Sequence, residues 1–388
     1  MKTIGYVLAE FPVLSETFVG NEMRAMQVLQ HQIVPIACRR PTGPAQPDDQ
    51  LLARQTHYLT DVSRLALLRL LICHPFGFVR ACYLALQQKG IRPRSAILMA
   101  AKIAAVAGQQ GCQHLHAHFA LHSATGALIA ARWLGLTVSF VGHGYDVYAT
   151  PADLPLKLQQ ADFAVAVCFQ MQLDFLAQVP TAKVALVPCG IALDKFQFTA
   201  TTSDSKRLLF IGRLTEKKGI VHLLDALAAL PQSERPSLDI VGDGELKPAI
   251  EAQIAHLGLV EYVRLLGSQN SDWIRQHAAD YSALVAPFQI AANGDRDTGP
   301  LVLKEAMALG LPVICSRLMG CSEIVDNTSG YLVPSNDPIR LSAAIRHVLQ
   351  LSASERRALV YQARHRIEQR FNVVALCRLL SNQIEAAK

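Results

Sequence analysis

The sequence predicts an α/β chain built from two doubly wound parallel sheets. Three observations carry that prediction. Short apolar runs alternate with stretches of helical spacing along most of the chain. The alternation restarts after a polar, Ser/Thr-rich segment, FTATTSDSK at 198–206. At 388 residues the chain is also longer than one typical core. The expected division is a first domain over 1–197 and a second over 198–369, with a helix at about 370–388 packing back on the first.

In the first half, TIGYVLAEFP reads as a strand running into a loop. SETFVGNEMRAMQVLQHQ follows with Phe18, Met23, Met26 and Leu29 at helical spacing, and Ser15 is placed to cap it. IVPIAC, HLHAHFA, LTVSFVGHG, FAVAVCF and VALVPCG are further strands, with SATGALIAARWLG a small-residue helix among them. In the second half the strands are RLLFIGRL, SLDIVGDG, VRLLGS, ALVAPF, PVICS and GYLVPS. Helices fall at 219–230, 245–257, near 271–279 and from Gly299-Pro300 to Gly310, and residues 337–388 read as amphipathic helix. Two such halves imply a cleft, with the carboxyl ends of both sets of strands pointing into it.

Composition narrows the class. Half the residues are apolar and 18% are charged, which excludes a disordered chain. Arg, His or Gly interrupts every apolar stretch before about 20 residues, so no membrane-spanning helix is expected, and Glu10 closes the short apolar run near the start. Nine scattered cysteines without a CxxC pair suit a reducing cytosol. Within residues 50–110 eight Lys/Arg stand against one acid, Asp61. Over 62–107 these alternate with apolar blocks, as in a helix lying on an anionic membrane with Arg outward and Leu/Phe inward, or in a core-packed helix pair with a basic outer face. The basic residues are spread among aliphatics rather than clustered with stacking aromatics, which argues against nucleic acid.

Two stretches of the second half carry chemistry. In FIGRLTEKKGI a strand ends at Ile211, and Arg213 and Lys218 flank the loop before a helix. That is an arrangement for trapping phosphate, with the solvated loop as the alternative. In DTGPLVLKEAMALGLPVICS, Gly299 and Pro300 open a helix whose first N–H groups, near Leu301 and Val302, are exposed to a ligand. Asp297 precedes it and Glu305 lies a turn inside. Both can accept bonds from sugar hydroxyls, each worth roughly 1.5–3 kcal/mol; alternatively Asp297 caps the helix and Glu305 pairs with Lys or Arg. DIVGDGEL has GxG but Lys247 where a third glycine would stand, and no GxxxxGK[ST] loop occurs, which argues against a dinucleotide oxidoreductase and a P-loop NTPase.

Taken in order, VPCGIALDKF, FIGRLTEKKG, DIVGDGE, VRLLG, GPLVLKEAMALGLPVICS, SEIV and GYLVP resemble the retaining glycosyltransferases of family 4. EFPVLSETFVGNEM and VGHGYDVY resemble their exopolysaccharide and colanic-acid branch. The resemblance implies the GT-B fold, two Rossmann-like domains facing a central cleft. It implies that Arg213 and Lys218 hold the diphosphate of a UDP- or GDP-sugar, that Glu305 holds the ribose, and that Asp297, where the family usually has Glu, holds the sugar. By the same resemblance Ser15, Glu16 and Thr17 lie over the donor phosphates and the acceptor, His143 lies near the transferred sugar, and Asp146 matches an acidic position after it. No metal and no cofactor beyond the donor sugar are expected. His116 and His118 alternate on a strand face with no carboxylate or cysteine at ligand spacing, and are read as packing. The expected activity is transfer of a hexose to a saccharide or polyprenyl-linked acceptor in the cytoplasm, on the inner face of the membrane. The alternative is a catalytically degenerate sensor or scaffold that binds nucleotide sugar.

Overall fold

The computed structural model describes residues 1–200 and 205–387. The middle of the expected linker, 201–204, lies outside the described residues. The chain forms two compact units, Met1–Gly190 with the segment from Val373 onward, and Ile191–Asn372.

The first unit holds seven strands: β1 (Thr3–Glu10), β2 (Gln32–Arg39), β3 (His57–Tyr58), β4 (His114–His118), β5 (Thr137–Gly142), β6 (Phe163–Ala166) and β7 (Val184–Leu186). All pairs are parallel, in the order β3-β2-β1-β4-β5-β6-β7. The second unit holds β8 (Arg207–Ile211), β9 (Ser237–Val241), β10 (Val263–Gly267), β11 (Ala283–Ala286), β12 (Val313–Ser316) and β13 (Tyr331–Val333). These too are parallel, in the order β10-β9-β8-β11-β12-β13. Helices cover both faces of a parallel sheet, which is why strands such as RLLFI and ALVA read as unbroken apolar runs. In each sheet the order reverses beside the first strand of the unit, between β1 and β4 and between β8 and β11. Open α/β sheets bind ligands at the carboxyl ends flanking such a reversal.

The basic stretch forms three helices, Arg64–Cys73, Pro75–Gln87 and Pro93–Gln109, the first two bent by 104°. Arg64, Arg69 and Arg80 are exposed, and the apolar side chains divide between the two sides of the first two helices. Small residues and a few leucines face inward: Ala66, Leu70, Gly77, Ala81, Leu84 and Ala85. A Cβ on Gly77 would lie 1.9 Å from the Trp133 carbonyl oxygen, so the second helix packs closely on helix His122–Leu134. Large apolar side chains are left outside, Phe76 82% exposed and Ile72 70%, with Leu65, Leu68, Val79, Tyr83 and Leu86. Among the described residues no single helix is long and apolar enough to cross a membrane.

The expected helix over 337–388 breaks into Pro338–Leu349, Ala353–Arg370 and Val373–Ala386. Ser352 and Glu355 form a reciprocal capping box that starts the second piece afresh. The last piece packs on helix Thr17–Val28 of the first unit. Ser381 hydrogen-bonds His31 (2.8 Å), and the Lys2 ammonium donates to the Ile384 carbonyl (2.6 Å).

Candidate active site

The loops after β8 and β11 meet at the strand-order reversal of the second unit. After Ile211 the chain passes Gly212 and the exposed Arg213, makes a 3-10 turn over Glu216–Lys218, and enters helix Ile220–Ala228 at Gly219. Gly219 has φ +66° and its missing Cβ would lie 1.8 Å from the Pro287 carbonyl oxygen, so any side chain there would push the second loop away. The two loops are joined along their length. Gln289 N–H donates to Lys217 O (2.9 Å), Gln289 Nε2 donates to Glu216 O (2.7 Å), and Ala292 N–H donates to Glu216 Oε1 (2.9 Å). Lys217 pairs with Asp295 at 3.0 Å.

Lys218 reaches across the same seam. Its Nζ lies 4.8 Å above the buried Phe288 ring, and it donates to Asp297 Oδ1 at 3.1 Å. The second oxygen, Oδ2, is 3.0 Å from Nζ but not aligned as a hydrogen bond; it is buried with no hydrogen-bond partner. Asp297 therefore does not cap the following helix. That helix, Leu301–Leu309, has Pro300 at its N-cap and no side-chain cap bond, so no capping side chain takes up its first N–H groups at Leu301 and Val302. Glu305 projects from its second turn and is 7% exposed. Burial pushes its carboxyl up to about 7, against the pull of Arg275 and Lys304. Among the described residues no side chain hydrogen-bonds it. Lys304 turns instead to the Gly299 carbonyl (3.3 Å) and the Phe371 ring (4.9 Å). The pairing considered for Glu305 is thus an electrostatic influence without a bond, and the carboxylate partner of Lys218 is Asp297.

In the first unit Ser15, Glu16 and Thr17 follow β1. The helix starts at Thr17 with Glu16 at its N-cap and no side-chain cap bond, because a turn from Val13 to Glu16 displaces Ser15 from the capping position. His143, just after β5, has its ring against Phe18 (centroids 4.6 Å) and Phe119 (4.5 Å). Asp146 braces the backbone here. Its fully buried carboxylate accepts from the N–H groups of His143 (3.0 Å) and Ala120 (2.6 Å), tying the ends of β4 and β5 together. Burial lifts its carboxyl to about 6, opposed by those N–H donors and by Lys157. The Lys157 ammonium is also buried, pushed down to about 8, and donates to the carbonyls of Ala120 (2.7 Å) and Ala152 (2.6 Å).

His116 and His118 are both wholly buried on β4, but a carboxylate does join them. Glu22, from helix Thr17–Val28, places Oε1 3.3 Å from His116 Nε2 and 3.2 Å from His118 Nε2. The histidines alternate on one strand face as the sequence suggested; their partner stands far away in sequence, and no local pattern announces it.

Residues 193–366, nearly the whole second unit, match the family of group 1 glycosyl transferases. The chain is 28% identical to the amylovoran biosynthesis glycosyltransferase AmsK of Erwinia amylovora, over 97% of each chain. Its fold is similar to that of Anabaena HepE, solved in complex with UDP (TM-score 0.76, 17% identity, 99% of this chain and 100% of that one). It is equally similar to sucrose-phosphate synthase from Thermosynechococcus elongatus (TM-score 0.75, 19% identity, 100% of both chains). A family segment that coincides with one unit, and a whole-length likeness that takes in the other, support a glycosyltransferase with the GT-B fold.

Proposed function

We propose that the chain moves a hexose, with retention, from a UDP- or GDP-sugar to a saccharide or lipid-linked saccharide acceptor in the synthesis of a cell-surface polysaccharide. The observation that carries this reading is the Lys218–Asp297 pair at the strand-order reversal, with Asp297 Oδ2 a buried acceptor that lacks a hydrogen-bond donor. A sugar hydroxyl supplies that donor, and the diphosphate supplies the charge that draws Lys218 away. Arg213, Lys218 and the N–H groups of Leu301 and Val302 stabilise the charge that grows on the β-phosphate as the C1–O bond breaks. Glu305 accepts from the ribose hydroxyls. The likeness to AmsK supports a polysaccharide acceptor, and the likeness to HepE supports a uridine nucleotide. His143, braced by Asp146, is assigned to the transferred sugar, and Ser15, Glu16 and Thr17 to the phosphates and acceptor, on the resemblance alone.

The protein acts at the inner face of the membrane in this reading. The exposed row from Leu65 to Leu86, beside Arg64, Arg69 and Arg80, supports peripheral binding to anionic lipid, the apolar side chains entering the headgroup region and the guanidinium groups meeting phosphate.

The decisive experiment is transfer from UDP- and GDP-sugars by the wild type and by Arg213→Ala with Lys218→Ala. Loss of transfer by several orders of magnitude is expected; a near wild-type rate overturns the phosphate assignment. Donor binding without turnover by the wild type, on several donors, marks a nucleotide-sugar sensor instead.

A further inference from the structure

The polar cluster under the β1–β4 reversal is larger than a transferase reading uses. Along β4 the rings of His114, His116 and His118 follow one another on one face, because side chains two apart on a strand share a side. Hydrogen bonds link them to their neighbours on β5 and beyond. Thr137 Oγ1 donates to the Gln113 carbonyl (3.3 Å) and contacts His114 Nδ1 (2.7 Å). His114 Nε2 and His116 Nδ1 both contact Ser139 Oγ at 2.7 Å. His118 Nδ1 contacts His143 Nε2 at 3.3 Å.

Each hydroxyl has one proton, so the chain can run in two directions. In the one where Thr137 gives its proton to Gln113, it accepts from His114 Nδ1–H. His114 Nε2 then accepts from Ser139, and Ser139 accepts from His116 Nδ1–H. Neutral His116 is left with its lone pair on Nε2, facing Glu22 Oε1 at 3.3 Å. In that direction two acceptors meet, and in either one the contact is not aligned as a hydrogen bond: His116 Nε2 is buried without a hydrogen-bond partner. His118 Nε2 lies 3.2 Å from the same oxygen, and the Tyr6 hydroxyl donates to it at 3.0 Å.

We propose that Glu22, His116 and His118 bind a divalent transition metal of the zinc type. The donor set is two imidazoles and a carboxylate, which suits zinc and its neighbours rather than the oxygen-seeking magnesium or calcium. A tetrahedron with bonds of about 2.0 Å has edges of about 3.3 Å, and both oxygen-to-nitrogen separations match that length. The outer partners are in place: Ser139 on His116 Nδ1 and His143 on His118 Nδ1. Three protein ligands leave a fourth position open. The ion ties helix Thr17–Val28, and with it the Ser15–Thr17 loop, to β4. It also sets a tautomer. With Nε2 on the metal, His118 donates through Nδ1 to His143 Nε2, so neutral His143 carries its proton on Nδ1. Without the ion, His118 donates through Nε2 to Glu22, and its Nδ1 accepts from His143 Nε2–H. Occupancy thus turns His143 Nδ1 from acceptor to donor with no change of charge on either ring. The site stands on these distances alone, whatever donor the enzyme uses.

The test is made on the full chain, stripped with a chelator and titrated with Zn²⁺ and Co²⁺. Expected are about one Zn²⁺ per chain by elemental analysis, a Co²⁺ visible spectrum of tetrahedral intensity, and a melting temperature that rises with free Zn²⁺. Glu22→Gln and His116→Asn should abolish all three. Ser139→Ala, which leaves the ligands and fills no new space, should weaken affinity by about 10-fold. No bound metal and no melting shift in the wild type overturn the proposal. So does unchanged metal content in Glu22→Gln, or a nitrogen-15 spectrum of the wild type showing His116 as imidazolium with and without Zn²⁺.

Discussion

Glu305→Gln separates stability from function in one substitution. The wild-type carboxyl titrates at about 7 in the fold against an ordinary 4.5, because burial disfavours its charge. Below about pH 4.5 it is protonated in both folded and unfolded chains and contributes no difference. Between 4.5 and 7 the unfolded chain releases the proton that the fold retains, so stability falls as pH rises. Above 7 the penalty is complete, about 3 kcal/mol at 1.36 kcal/mol per unit. Glutamine keeps the shape and cannot ionise. The variant should exceed the wild type by under about 1 kcal/mol near pH 5 and by about 3 kcal/mol near pH 8.5, the latter roughly 6–12 °C in melting temperature for a cooperative unit of this size. Donor binding should move the opposite way. Ribose hydroxyls need the ionised carboxylate, so wild-type affinity for UDP should fall about 10-fold from pH 8 to pH 6, as the charged fraction shrinks. The variant should bind weakly at both, having lost a charge-assisted bond of roughly 1.5–3 kcal/mol. Differential scanning fluorimetry and calorimetric titration across pH 5–8.5 read both effects. A stability difference that stays constant with pH would refute the reasoning, since it would mean that Arg275 and Lys304 already hold the charge.

Three further outcomes follow from the same structure. Asp146→Asn forces an amide N–H₂ against one of two backbone N–H donors, so it should lower stability by about 1–3 kcal/mol and reduce transfer through His143; an unchanged melt and rate would remove the bracing role. A double-mutant cycle on Lys218→Met and Asp297→Asn, read as stability without ligand, should show coupling of about 1–3 kcal/mol because both side chains are mostly buried, and additivity would dissolve the pair. Phe76→Asp with Ile72→Asp should abolish flotation with anionic liposomes while shifting stability by only about 0.5 kcal/mol per site; retained flotation would place lipid binding elsewhere.

Strand-helix alternation made both sheets legible, since buried parallel strands write continuous apolar runs. β3 escaped because two residues, His57 and Tyr58, carry no period of their own and are strand only through β2. The break at Ser352 was written in the sequence as S-x-x-E but lay inside a longer amphipathic pattern. The helices over 64–87 were foreseen, but which apolar residues pack inward was not, because a hydrophobic count cannot tell that alanine and glycine face inward when a neighbouring backbone comes close. At the candidate site, the helix start at Pro300 was readable from Gly-Pro punctuation. The Lys218–Asp297 contact and the arrival of Glu22 beside two histidines depend on tertiary packing between distant segments, which no spacing rule encodes.

The return of Val373–Ala386 to the first unit bears on biosynthesis. Helix Thr17–Val28 leaves the ribosome early, yet the helix that covers one of its faces is made only after the whole of Ile191–Asn372. The second unit is contiguous in the chain and can fold as it emerges, while the earlier-made unit waits with that face unshielded. The covered face of that helix is therefore completed only after the middle segment has been made.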